Sequence, residues 1–143
     1  MRRKSREIAL QTLYQIELTG AEPGQAFALA AAHYHDTGKD APALPYAREL
    51  VEGVHGELAG LDRLIGRFAR HWRLERMSVV DRSILRMAAF EIRHRPEVPA
   101  RVVINEAIEL AKLYGTEESG PFVNGILDAI RVHASSEPAA HGG

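Results

Sequence analysis

The chain is 143 residues long, with no cysteine, 45% hydrophobic and 26% charged residues, and a formal net charge of −1. One compact domain with a real core is expected, and a disulfide framework, a thiolate metal site and bulk attraction to nucleic acid are excluded. No run approaches the roughly 18 apolar residues of a membrane helix, and Glu7, Gln11, Gln15 and Glu17 interrupt the segment after the basic N-terminus that a signal peptide would keep apolar, so cytoplasm and no membrane partner are expected.

Arg2, Arg3, Lys4 and Arg6 open the chain with no acid among them, as a helix or as a short arm leading into one. From Ser5 to Leu18, Leu10, Leu13 and Tyr14 with Ala9 and Ile16 keep helical spacing, and Gly20 and Glu22-Pro23-Gly24 end the run. Alanine-rich Gln25–Tyr34 reads as a second helix, stopped at Thr37-Gly38. Pro42 and Pro45 open a third, with Leu50, Val54, Leu58 and Leu61 in an i, i+4 stripe that continues or bends through Leu64, Ile65, Phe68 and Trp72. Ser78 is the expected N-cap of the next, with Asp81 in a capping-box position; Val80, Ile84, Met87 and Ala88 give an apolar stripe, and Arg82, Arg86 and Arg93 lie on another face. Val103, Ala107, Leu110, Ala111 and Tyr114 form the cleanest stripe, closed by Gly115. The last helix starts near Ser119 or Gly120 and carries Phe122, Val123, Ile126, Leu127 and Ile130. The expected class is all-α, a compact bundle of six to seven helices, with one domain over 1–133 in two lobes of about 1–73 and 74–133, and a disordered tail over 134–143.

Motifs for phosphate loops, nucleophile elbows and zinc proteases are missing, and His33 and His35 diverge on a helix, so no enzyme, cofactor or metal is expected. Glu106 and Glu109 read as an exposed face, and Glu91, which extends the apolar stripe, as an acceptor of hydrogen bonds from a neighbouring helix N-terminus. The four N-terminal cations repel one another unless an anion arrives, and arginine forks suit RNA phosphates. Gly125 sits inside a helix at a cost of roughly 1 kcal/mol, so another helix or a ligand is expected to approach there. Phe122 in the first turn is either a core residue or a platform for a base.

Arg3-Lys4-Ser5-Arg6-Glu7, Ala9-Leu10-Gln11 and Leu13-Tyr14, then Val80-Asp81-Arg82-Ser83-Ile84-Leu85-Arg86 with Phe90-Glu91, resemble the NusB family in order and spacing. So do Pro99, Ile104-Asn105-Glu106-Ala107-Ile108-Glu109-Leu110-Ala111-Lys112 and Phe122-Val123-Asn124-Gly125-Ile126-Leu127-Asp128. The resemblance implies two packed helical lobes and a transcription antitermination factor that recognises boxA RNA of ribosomal RNA leaders. It implies a heterodimer with NusE, a small-subunit ribosomal protein, within an RNA polymerase antitermination complex, and a homodimer hiding the RNA helix as an alternative free state. By the same resemblance the RNA face comprises Arg2, Arg3, Lys4, Arg6, Glu118 and Phe122, and the NusE side Tyr14, Glu75 and Asp81. Two other readings are a module related to the N-terminal domain of ribosomal RNA methyltransferases, against which no glycine-rich methyl-donor motif is present, and a helical adaptor without RNA.

Overall fold

The computed structural model describes residues 2–35 and 38–136. Among them are seven α-helices: α1 (Arg2–Thr19), α2 (Pro23–His35), α3 (Leu44–Gly56), α4 (Leu58–Phe68), α5 (Val79–His94), α6 (Ala100–Tyr114) and α7 (Ser119–Ser136). Short 3-10 turns at Ala41–Ala43 and Leu74–Arg76 precede α3 and α5. The basic N-terminal residues belong to α1 itself, which ends at Gly20 with the left-handed φ of 70° that glycine tolerates.

The expected third helix is two. At Glu57 the backbone leaves the helical region (φ −119°, ψ 23°), and α4 departs in a new direction. Helix α4 lies on α5 and α7 and only lightly on α3, whereas α1 packs on α2 and α3. At the centre is α5, in contact with α1, α3, α4, α6 and α7. It is buried nearly all round from Ser83 to Glu91 rather than along one stripe, because helices cover it from both sides. Ser78 caps it as expected, accepting from the Asp81 backbone N–H at 3.0 Å, but the carboxylate does not complete a reciprocal box: Asp81 Oδ1 is buried without a partner among the described residues.

Two of the three arginines on the polar face of α5 are cross-ties instead of a solvated row. Arg86 grips Asp62 of α4 through two bonds of 2.8 and 2.9 Å and reaches Glu17 of α1 at 2.6 Å. Arg82 bonds the same Glu17 oxygen at 3.1 Å and donates to the carbonyls of Leu74 and Met77, which fixes the turn before α5. Burial by itself would raise the Glu17 carboxyl pKa, but the hydrogen bonds from Arg86 and Arg82 prevail and hold it below the ordinary value.

Three local expectations change. Gly115 ends α6 with extended backbone (φ −101°), not a left-handed cap; a side chain there would collide with Ser119. Gly125 is exposed with open space beside it, so no helix among the described residues explains it. Residues 134–136, expected as tail, continue α7, and the rest of that tail lies outside the described residues.

Candidate nucleic-acid interface

The first turn of α1 holds cations and no acid, an unfavourable match to the positive end of a helix dipole. Internal partners offset it, so the four charges do not stand unbalanced as the sequence suggested. Arg3 makes a two-bond pair with Glu106 of α6 at 3.0 and 2.8 Å, Lys4 lies 3.4 Å from Glu7, and the Arg2 guanidinium sits 3.6 Å over the Tyr46 ring. Arg2 and Arg3 are exposed and Lys4 is half-buried. The hydrogen bond to Glu106 raises the Arg3 pKa, and the same bond holds the Glu106 carboxyl below its ordinary value.

Arg6 departs from the expected RNA face. It is only 4% exposed, and its Nε and Nη2 donate to the two oxygens of Glu91 at 2.8 Å each. The Tyr46 hydroxyl donates to Glu91 as well. Glu91 thus takes side chains from α1 and α3, not the backbone of a helix N-terminus. Burial would depress the Arg6 pKa, yet the bonds to Glu91 outweigh it and the group stays charged. Burial and the bond to Glu91 push the Tyr46 phenol well above its usual range, so it remains a donor. This triad is core architecture; three cations, not four, are accessible at this end of α1.

Glu118 and Phe122 stand at the start of α7. Glu118 is exposed, and its carbonyl accepts from the Phe122 N–H at 3.1 Å. Phe122 is half-buried, one side on the core and one edge toward Trp72, whose ring meets it in a T at 6.1 Å and 82°. It is therefore both a packing residue and an accessible ring. Trp72 escaped the sequence reading, which made it an extension of the apolar stripe; it follows α4 and is 57% exposed. Helix α6 links the two groups, with Glu106 holding Arg3 and Ile108 backing Gly120.

Of the residues expected on the partner side, Tyr14 alone lines a groove on another face. Tyr14, Leu10, Leu29, Val80 and Tyr114 line a mostly apolar groove of about 780 Å³, in which Leu29 is 78% exposed. Asp81 follows Val80 in the first turn of α5 but is not among the groove's lining residues, and Glu75 is exposed on the turn that Arg82 fixes.

The NusB family model matches residues 3–131. Transcription antitermination protein NusB of Myxococcus xanthus is 48% identical over 132 residues, covering 92% of this chain and 94% of the relative. The NusB protein of Sorangium cellulosum is 47% identical over 129 residues, 90% of each chain. T. maritima NusB superposes with a TM-score of 0.85 at 38% identity, covering 99% of this chain and 96% of that one. A crystal structure of the antitermination factors NusB and NusE in complex with dsRNA has a chain that superposes at 0.81 and 30% identity, covering 92% and 96%. With a family match over nearly its whole length, and relatives this similar over nine-tenths of theirs, the chain belongs to the NusB family.

Proposed function

We propose that this protein is a cytoplasmic transcription antitermination factor that binds boxA-type RNA of ribosomal RNA leaders together with NusE, within an RNA polymerase antitermination complex. The observation that carries the reading is the gathering of Arg2, Arg3 and Lys4 on one turn of α1, on a body that superposes on the NusB chain of a NusB–NusE–dsRNA complex. Arg3 exchanges Glu106 for a phosphate at little cost, because an exposed ion pair contributes little, and its planar fork grips a phosphate through two bonds. Phe122, buttressed by Trp72, offers a ring face to a base. Glu118 lies beside it, where a carboxylate repels phosphate and accepts from base amino groups. The apolar groove at Tyr14 suits an apolar anchor of a partner protein, and the acidic Asp81 and Glu75 suit a basic ribosomal protein.

Replacing Arg2, Arg3 and Lys4 together by glutamine is expected to weaken RNA binding and to flatten the slope of log affinity against log salt by about 0.7 for each phosphate the protein no longer holds. Thermal stability should stay close to wild type, since all three side chains pair at the periphery. An unchanged salt slope would remove α1 from the RNA face.

Phe122→Ala should cost about 1–3 kcal/mol of RNA binding by removing the stacking surface. Its stability cost should fall below the roughly 3–5 kcal/mol of a fully buried phenylalanine, because one side of the ring is already open. Intact RNA affinity together with a large drop in melting temperature would make Phe122 a core residue alone.

A further inference from the structure

We propose that a hollow between α4, α5 and α7, ringed by Arg63, Arg67, Arg93 and His133, is a second phosphate site that holds the backbone of RNA running on from the Phe122–Trp72 pair. The hollow has a volume of about 210 Å³, and Gly60 and Leu64 complete its lining. Among the described residues no carboxylate lines it, and Glu57, Asp62 and Asp128, on or beside these helices, are engaged elsewhere. Glu57 pairs with His94, Asp62 with Arg86 at 2.8 Å, and Asp128 with Arg131 at 2.9 Å.

Among the described residues Arg63, Arg67 and Arg93 form no ion pair, although all three are exposed. Arg63 and Arg67 are four apart on one face of α4, where like charges destabilise a helix unless an anion lies between them. Arg93 continues the row of Arg82 and Arg86 on α5; those two have Glu17 and Asp62, whereas Arg93 lines the hollow beside Arg63, Arg67 and His133. The Arg67 side chain is already held. Its guanidinium lies 5.6 Å over the Phe68 ring and its Nη1 is 3.4 Å from His133 Nε2, while the Phe68 and His133 rings meet at a 54° tilt with centroids 5.5 Å apart. Guanidinium forks from two helices lining one hollow, with no carboxylate among its described lining residues, fit a phosphate diester.

The position of the hollow favours RNA over a free phosphate. Phe122 and His133 are eleven residues apart on α7, about three turns, so they share a face and stand roughly 16 Å apart along the axis. Phe68 packs on His133 and Trp72 on Phe122, so the segment after α4 borders the same path. A strand that stacks a base at Phe122 and continues along α7 therefore reaches the three arginines. This rests on the RNA-binding reading above.

The test compares a short boxA-type RNA with the same RNA extended at either end by uridines. It is run on wild-type protein and on the Arg63→Gln, Arg67→Gln, Arg93→Gln triple variant. In the wild type one extension should tighten binding about tenfold, the scale of one charge-assisted hydrogen bond to phosphate. The triple variant should lose that gain, with a salt slope shallower by about 0.7 per phosphate released. No gain in the wild type, or a gain that survives in the variant, overturns the proposal. Inorganic phosphate shifting the arginine Nε–H resonances while RNA extension has no effect would make this a site for small phosphates and overturn the RNA assignment. Failure of wild-type protein to bind even the short RNA would sink the RNA-binding reading itself and this site with it. Intact short-RNA binding with an inert extension sinks this site alone.

Discussion

Arg6→Ala is expected to destabilise the protein by about 3–5 kcal/mol, because it leaves the Glu91 carboxylate buried without its counter-ion. For a domain of this size the melting temperature should fall by roughly 10 °C or more. Glu91→Ala should cost a similar amount by stranding Arg6, whose side chain is 5% exposed. Removing the charges together, as Arg6→Met with Glu91→Leu and Tyr46→Phe, should be far milder, since apolar groups of similar volume avoid the desolvation of both ions. Below its melting temperature the Arg6→Ala protein should keep most of its RNA affinity, in contrast to the Arg2, Arg3, Lys4 variant. An Arg6→Ala protein with unchanged melting temperature and abolished RNA binding would return Arg6 to the surface.

Gly53→Ala is expected to destabilise by about 1–3 kcal/mol, the range of an overpacked core. A methyl there would clash with the Cζ end of the Phe90 ring, and Phe90 is only 5% exposed, with the tilted His94 ring at 5.1 Å and Arg95 at 5.6 Å. The ring has little room to move, so the helix propensity gained over glycine, up to about 1 kcal/mol, does not compensate. Phe90→Leu added to Gly53→Ala should recover part of the loss. Gly125→Ala makes the opposite comparison: its methyl meets open space, and stability should rise by up to about 1 kcal/mol. Equal melting temperatures for the two alanine variants would contradict the close α3–α5 approach at Gly53.

The helices were readable because their stripes are local. Val103, Ala107, Leu110 and Ala111 are all buried as the spacing requires, and Gly20 stops α1 where its φ demands glycine. What escaped depends on residues far apart in the chain. Arg2 and Arg6 look alike in a basic run, yet Glu91, 85 positions away, draws Arg6 into the core. The same holds for Arg82 and Arg86 against Arg93: the carboxylates that separate tether from open charge come from α1 and α4. No proline marks the break at Glu57, which arises as α4 turns to cover α5 and α7. Trp72 ends an apolar stripe in the sequence, and only the placement of α7 reveals that its ring meets Phe122. For the RNA face, three of the four basic residues remain accessible. Their grouping with Glu118 and Phe122 came from the family resemblance, since periodicity carries no information about which exposed faces act together.

An RNA site shared with and completed by a ribosomal protein is tested most directly by a titration of labelled boxA RNA. The RNA is titrated with this protein, with NusE, and with both, beside a scrambled RNA of equal length. The expected result is weak binding alone, because three accessible cations reach few phosphates, and markedly tighter binding of boxA with both proteins. Coupling is reciprocal, so RNA should tighten the association with NusE by the same factor, and the scrambled RNA should gain much less. Asp81→Ala and Glu75→Ala should reduce the gain without altering binding by this protein alone, since neither belongs to the basic turn of α1. Equal affinity for the two RNAs, or no gain from NusE, would contradict the claim and leave only non-specific RNA binding.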